Sequence, residues 1–482
     1  MNRTSHLLAF CVSCLLVISP RWSQAASRPN VLFILIDDMG YADLSCYGET
    51  RIQTPHLDQL AREGIRFTQF YVNAPICSPS RTALITGQFP ARWRMTSYLA
   101  ERQLNTDRGM PQWLDPAAPT LARTLQTAGY TTGHFGKWHM GGQRDVGEAP
   151  LITEYGYDKT LTTFEGLGDR ILPLLDAFDG KPAKKYSLGS DKLGRGKITW
   201  LDRSQVTTAF ASNALAYIQQ TEKTGQHFYV DLWPDDVHSP FFPPKDLRGD
   251  GSKKQLYLGV VKATDDQFAP IIDYIRTSPT LSTNTLIIVA SDNGPEPGAG
   301  SPGIFRGFKG NLYEGGIREP FIAWGPGLLA PASRGTVNDT SVIASVDLLP
   351  SIAKITGAPL PANTDFDGED LSDTILGKAH QTRTKPLLWV RPPDRPGNAK
   401  VPFPDLAIRD GDWKLLIMED GSRPQLYNLA NDPRETTNLA GKQTEILARL
   451  KTKLLDWRKT LPIARPWPWN PKQIPATDKT PS

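Results

Sequence analysis

The sequence predicts an α/β protein: a large, mostly parallel sheet sandwiched by helices, then a smaller C-terminal antiparallel sheet with one helix packed on it. Three observations lead there. Residues 31–36, 228–233 and 286–290 are almost wholly apolar runs, the pattern of strands buried on both faces. Helical patterns lie between those runs, and strands alternating with helices imply a parallel sheet covered on both sides. After Gly377 the texture changes to short strands separated by tight turns such as Asp410-Gly411-Asp412.

Each element has its own signal. Thr54 is placed to cap a helix over 55–63, with Pro55 at its first position and Gly64 after it. Residues 119–128 form a second helix, ended by Gly129. Residues 205–223 form a third, with Val206, Phe210, Leu215 and Ile218 on its apolar stripe. Further helices are expected over 256–276 and 346–356, and a further strand over 320–324. In the C-terminal part, strands are expected over 387–390, 406–409, 413–418 and 425–428. A helix follows with Ile446, Leu447, Leu450, Leu454 and Trp457 on one face. The tail from Pro462, with Arg465-Pro466-Trp467-Pro468-Trp469, is expected to run extended over the surface. No internal repeat is evident.

The bulk numbers set limits. At ~100–200 residues per domain, a chain of 482 residues should hold two or three domains. The 39% hydrophobic and 22% charged content is that of a soluble globular protein. A net charge of +4 with no basic stripe argues against a nucleic-acid partner. The first 25 residues read as a signal peptide: Arg3, an apolar run over 7–18, and Ser23-Gln24-Ala25 as a small-x-small cleavage site. That run is too short to span a bilayer, and no later segment is apolar enough to do so. The expected organisation is therefore a leader over 1–25, a catalytic domain over 26–377 and a C-terminal subdomain over 378–482, exported to the periplasm or secreted.

Of four cysteines, Cys11 and Cys14 lie in the leader. Cys46 and Cys77 remain, as one disulfide, as two buried thiols, or with Cys77 committed to chemistry.

Polar clusters sit where parallel strands end, the place where open α/β sheets bind ligands. Asp37-Asp38 follows the first strand, and Ser291-Asp292-Asn293-Gly294 follows the strand over 286–290. Either cluster alone could be a solvated turn. Together they could converge on one hard cation, which oxygen ligands of this kind hold. Val237-His238-Ser239-Pro240 follows the strand over 228–233, and its histidine could be structural or catalytic. Cys77 precedes a helix that Pro79 should open, with Arg81 one turn on. A helix start favours anions and lowers a thiol pKa, so Cys77 reads as either a nucleophile or a buried helix-start residue.

Cys77-x-Pro79-x-Arg81, followed by Thr82-Ala83 and Gly87, resembles the signature of the type I sulfatases. Other motifs match that family in order: Asp37-Asp38-Met39-Gly40-Tyr41, Gly136-Lys137-Trp138-His139-Met140-Gly141, Val237-His238-Ser239-Pro240, Asp292-Asn293-Gly294, and Gly307-Phe308-Lys309-Gly310 with Tyr313-Glu314-Gly315-Gly316-Ile317-Arg318-Glu319-Pro320. One polar residue usual after the Lys-x-His motif has no clear counterpart. The resemblance implies the alkaline phosphatase-like fold and oxidation of Cys77 to Cα-formylglycine by a maturation enzyme. It also implies one Ca²⁺ held by Asp37, Asp38, Asp292 and Asn293. In that scheme a hydroxyl of the aldehyde hydrate attacks sulfur, with Asp292 as proton acceptor, while His238 and Lys309 assist the leaving alcohol. His139 then takes the proton of the second hydroxyl, and Arg81 and Lys137 orient the hydrate. A sulfated glycan is the substrate the resemblance implies. Arg92, Arg94, Arg102, Arg170, Trp233 and Asp235 lie near the motif loops as substrate-binding candidates; each could equally be a solvated or packing residue. The alternatives are an aryl sulfatase, a phosphate or phosphonate ester hydrolase of the same superfamily, an inactive glycan-binding protein, and a plain thiol enzyme.

Overall fold

A computed structural model describes residues 28–462, apart from 177, 179 and 399. The expected leader and the Pro/Trp-rich stretch from 463 onward lie outside the described residues. One sheet carries, in chain order, β1 (Asn30–Ile36), β2 (Ile65–Tyr71), β3 (Thr131–Gly136), β4 (Lys159–Thr162), β5 (Arg170–Leu175), β6 (Lys184–Lys185), β7 (Ile198–Asp202), β8 (Phe228–Trp233), β9 (Thr285–Ser291), β10 (Arg318–Trp324), β11 (Thr336–Asn338) and β12 (Ile343–Ala344). Its spatial order is β11-β2-β10-β9-β1-β8-β3-β4-β5-β6, with β12 beside β2 and β7 beside β5.

β1 is central because every one of its side chains is buried. Its residues alternate between the two faces, as strand geometry requires. Val31, Phe33 and Leu35 enter one core, and Leu32, Ile34 and Ile36 enter the other. The second core is closed by the helices Pro55–Glu63, Val206–Thr224 and Lys253–Thr277 through Leu57, Phe210, Ile218 and Phe268. The first core is shared by the helices Cys77–Thr86 and Leu348–Thr356 and by the C-terminal sheet. β8 and β9 flank β1 in parallel. β10 runs antiparallel to both β9 and β2, so the sheet is mixed, though its site-bearing half is parallel.

The C-terminal strands Leu387–Val390, Leu406–Asp410, Trp413–Ile417 and Gln425–Asn428 form an antiparallel sheet in that order. The helix Thr444–Thr460 buries Leu450 and Leu454 against it. Sequence and structure differ in detail at several points. Thr54 does not cap its helix; its hydroxyl instead joins Ser45 and Asp58. The expected helix over 119–128 is shorter, Leu121–Thr127, and is capped by Thr120.

Candidate active site

Five neighbouring parallel strands, β9, β1, β8, β3 and β4, end along one edge of the sheet. Each leads into polar residues there: Asp292 and Asn293, Asp37 and Asp38, Asp235 and His238, Lys137 and His139, and Glu165 respectively. Lys309 arrives from the connection between β9 and β10. The glycines of that connection permit close backbone approach: a Cβ on Gly294 would lie 2.2 Å from the Gly315 carbonyl oxygen. Asp38 and His139 have φ of 61° and 56°, left-handed conformations that non-glycine residues hold only where the surroundings impose them.

Cys77 is the first residue of the helix Cys77–Thr86, so the helix opens two residues before Pro79. Its Sγ lies 3.5 Å from Asp37 Oδ1 and 3.9 Å from Asp38 Oδ1. Burial, reinforced by the Asp37 carboxylate, pushes the thiol well above its ordinary pKa. Those effects outweigh the helix-start influence expected from sequence and disfavour a plain thiolate. Cys46 and Cys77 are both free, so the disulfide alternative is not realised.

Around Sγ, Asp37, Asp38, Asp292 and Asn293 are all fully buried. Asn293 Nδ2 donates to Asp38 Oδ1 at 2.7 Å, while Asn293 Oδ1 has no hydrogen-bond partner among the described residues. Burial and the nearby Asp37 push Asp292 up to about 7 despite Arg81. Burial would raise Asp37 too, but Lys137 Nζ, 2.5 Å from Oδ2, and Arg81 hold it well below the usual carboxylate range. Three crowded carboxylates and an orphaned amide oxygen are an all-oxygen donor set that a Ca²⁺ ion fits, since it would relieve their repulsion and use the free lone pairs.

Arg81 braces this set from below. Its Nε and Nη2 reach Asp292 Oδ2 at 3.0 and 2.9 Å, and Nη1 donates to the Lys137 carbonyl at 2.7 Å. Lys137 Nζ also lies 3.2 Å from Glu165 Oε2. His139 is held between Glu165 Oε2, 2.9 Å from Nδ1, and the Leu99 carbonyl, 2.9 Å from Nε2. Burial lowers the pKa of His139, with Glu165 opposing that shift. On the cavity side, Lys309 Nζ lies 2.6 Å and His238 Nε2 3.6 Å from Asp38 Oδ2.

These groups open into a cavity of about 380 Å³ whose lining includes Cys77, Lys137, His139, Glu165, His238 and Lys309. Tyr98, Phe164, Tyr186 and Phe308 supply aromatic surface, and Arg144 and Arg395 supply cations.

Of the six substrate-binding candidates, Asp235 alone lines this cavity, and it also faces Arg203 at 3.5 Å. The other five are corrected. Arg92 is engaged by Asp367 at 2.7 Å, bracing a remote loop. Arg94 is exposed in a left-handed turn, and Arg102 pairs with Glu148 on the surface. Arg170 is buried in β5 against the Ser190 carbonyl. Trp233 is completely buried, edge-on to Phe33 and beneath the Arg81 guanidinium, so it has no face for a sugar.

Glu165 was not anticipated. It follows β4, a short and half-exposed strand whose Lys-Thr-Leu-Thr sequence carries no strong strand signal. Tyr98, Arg144 and Arg395 carry no strand-end signal either, because connecting loops bring them in, Arg395 from between two strands of the C-terminal sheet.

A family model described as Sulfatase matches residues 29–358. Arylsulfatase A of Homo sapiens is 32% identical over 471 residues, covering 88% of this chain and 87% of that protein. The N-acetylgalactosamine-6-O-sulfatase of Bacteroides thetaiotaomicron is 27% identical over 537 residues, covering 95% and 100%. A solved structure from the metabolism of multiple glycosaminoglycans by Bacteroides thetaiotaomicron has a TM-score of 0.71 at 24% identity, covering 90% of this chain and 100% of that one.

Proposed function

We propose that this chain, which belongs to the sulfatase family and is a sulfuric ester hydrolase, removes sulfate from sulfated polysaccharides or their oligosaccharides. In this reading Cys77 is oxidised to formylglycine by a maturation enzyme and one Ca²⁺ is held by Asp37, Asp38, Asp292 and Asn293. The observation that carries it is the meeting of Cys77 Sγ with Asp37 and Asp38 at the base of a cavity ringed by Lys137, His139, His238 and Lys309.

Bound there, the aldehyde hydrate would supply an oxygen nucleophile for sulfur, and the cation would supply Lewis-acid stabilisation of the sulfate oxygens. The protein's own side chains do the rest. Lys137 and Lys309 present ammonium groups to an anion entering the cavity, and Arg81 keeps Asp292 and Asp37 aligned behind it. His238 is partly open to the cavity, with Nδ1 fixed on the Ser239 carbonyl at 2.6 Å. Nδ1 therefore donates to that carbonyl, and Nε2, 3.6 Å from Asp38 Oδ2, can give a proton to the leaving alcohol only from the imidazolium form of the ring. Both nitrogens of His139 already face acceptors. It can take a proton from the group at position 77 only when one of those contacts opens, and Glu165 is placed to stabilise the resulting imidazolium.

A glycan substrate is supported by the N-acetylgalactosamine-6-O-sulfatase relative and by the cavity's aromatic surface, which suits sugar faces. Export to the periplasm or beyond fits such a substrate, and no helix among the described residues is long and apolar enough to cross a membrane.

The test is free sulfate, measured by ion chromatography after calcium-loaded enzyme meets a panel of sulfated oligosaccharides. Cys77→Ala runs beside it, phosphate release from the matched phosphate esters is followed in parallel, and the position 77 peptide is weighed. Formylglycine makes that peptide lighter by about 18 mass units. Sulfate release that vanishes in the variant is the expected result. Phosphate in place of sulfate, or full activity in Cys77→Ala, would overturn the reading.

A further inference from the structure

A second charged feature lies outside the cavity. Residues 181–197, which contain β6 and lead into β7, hold six Lys and Arg but a single acid, Asp191, in a chain whose net charge is only +4. β6, Lys184–Lys185, is the last strand of the large sheet. Lysine on an edge strand can serve only to discourage pairing with another chain, so β6 by itself decides nothing. The surroundings add more. Lys184, Lys185, Lys192 and Lys197 are all exposed. Lys185 Nζ stands 4.8 Å from the ring centroid of the half-buried Trp200 on β7. Lys184, Lys192 and Lys197 make no side-chain hydrogen bond or ion pair among the described residues. Of the nearby carboxylates, Asp191 accepts from Ser187 Oγ, Asp169 accepts from Lys197 N at 2.9 Å, and Asp202 lies across β5 from Lys185.

The strip starts at the cavity rim and leads away from it. Tyr186 and Leu188, directly after the β6 lysines, line the cavity that holds Cys77, and the Tyr186 ring packs edge-on to Phe164 at 5.4 Å. None of the four lysines lines that cavity. Lys184 pairs with Leu175 at one end of β5, and the Lys197 carbonyl accepts from Arg170 N at the other. At about 3.3 Å per residue the two ends of β5 are roughly 17 Å apart, so the lysines are spread along a line and not gathered around one point.

We propose that Lys184, Lys185, Lys192 and Lys197, with Trp200 beneath Lys185, form a docking surface for the remote part of a polyanionic glycan chain, one of whose sulfate esters occupies the catalytic cavity. The inference rests on the sulfated-glycan reading and deepens it: the favoured substrate is a long chain and not a short oligosaccharide. Each exposed ionic contact is weak and screened by salt. Several along one chain add up, because a linear polyanion releases counterions at every contact. Lysine suits a chain whose charges hold no fixed register, since its ammonium is a point charge on a flexible stem. The Trp200 ring adds apolar surface for a sugar face.

Binding in a Cys77→Ala background tests this without turnover. Fluorescence anisotropy would compare long-chain dextran sulfate with its short oligomer, both counted per sulfate group, across a salt series. The long chain should bind about tenfold or more tightly than the oligomer, the sum of several weak surface contacts. Combining Lys184→Gln, Lys185→Gln, Lys192→Gln and Lys197→Gln should erase most of that preference. The slope of log Kd against log salt should fall by about two, since each ionic contact to a linear polyanion contributes somewhat under one. The matching set of four Lys→Arg changes should keep the preference, which separates charge from folding. No chain-length preference in the parent, or one held within twofold in the glutamine set, would overturn the proposal. So would tighter binding of single-stranded DNA than of dextran sulfate. A glutamine set that only self-associates, by light scattering, while keeping its chain affinity would reduce the lysines to edge protection. Failure of sulfate release from the unsubstituted enzyme would instead count against the sulfatase chemistry and leave the chain-length preference standing.

Discussion

Glu165 opposes burial in governing the protonation of His139, on the wall proposed to be catalytic. It is buried and touches both Lys137 and His139. Burial would raise its pKa, but contact with His139 and the Lys137 ammonium holds it well below the carboxylate range, so it is ionised at working pH. Its negative charge opposes the burial that lowers His139. Replacing it with glutamine keeps the shape and removes that charge. Glu165→Gln should therefore lower kcat by about 10²-fold or more, within the usual range for general acid–base groups. It should also move the pH dependence attributable to His139 to lower pH, because the imidazolium loses its counter-charge. A kcat–pH profile checks this; an unchanged profile with only a weaker KM would place Glu165 in substrate binding instead. Sequence alone could not find this residue, since nothing marks Thr163-Phe164-Glu165 as a strand end when the strand itself has four residues, none of them in a long apolar run. Trp233 is the opposite case. It ends an apolar run of the kind that forms a doubly buried strand, and such a strand implies an interior ring rather than a sugar platform.

At the scale of elements, the residues proposed to hold the cation come from two loops that must keep a fixed separation. Asp43 joins them. Its carboxylate accepts from Gly40 N at 2.8 Å, just past Asp37 and Asp38, and from Ser301 N at 2.9 Å, in the connection that follows Asp292 and Asn293. Tyr257 of the helix Lys253–Thr277 donates to the same carboxylate. Asp43→Ala would strand three donors in the interior, each costing about 1–3 kcal/mol. The expected outcome is a clear drop in melting temperature and at least a tenfold loss of calcium affinity, read by elemental analysis across a chelator series. A variant that melts earlier yet keeps its calcium affinity would limit Asp43 to stability. The strands and acid pairs on either side were legible because apolar runs and strand-end carboxylates are local patterns. The clamp was not, because hydrogen bonds from Asp43 to a segment more than 250 positions away leave no periodic trace.

At the scale of the whole molecule, the small C-terminal sheet is fastened to the large sheet by a buried ionic cluster. Lys414 Nζ lies 2.9 Å from both Glu314 Oε1 and Glu435 Oε1. Glu435 Oε2 accepts from Glu314 N at 2.7 Å, and Tyr71 donates to Glu314 Oε2 at 2.6 Å. Glu314 opens the short helix Glu314–Ile317 beyond Lys309, so this fastening also supports the loop that carries the lysine and the segment that carries Arg395. Glu314 also faces Arg318 Nη1 at 3.4 Å, whereas Lys414 is the one cation that pairs with the Glu435 carboxylate among the described residues. Burial pushes Glu435 up to about 7 against the pull of Lys414, and Glu314 adds to the rise. Between about 4.5, the ordinary value, and about 7, the folded protein keeps a proton there that the unfolded chain has released. The stabilising contribution of this group is thus complete below the lower value and is lost as pH rises through the upper one. Glu435→Gln stays neutral, can still accept from Glu314 N, and leaves Lys414 paired with Glu314. Its melting temperature should therefore decline less than that of the unsubstituted protein between pH 5 and 8, at saturating calcium. The gap between the two should widen by roughly 2–6 °C. Asp43 and Asp292 also have raised pKa values, but they are present in both proteins, so the difference isolates Glu435. Parallel melting curves across that range would mean that the carboxyl at 435 is already ionised in the folded state, and that Lys414 satisfies both acids at once.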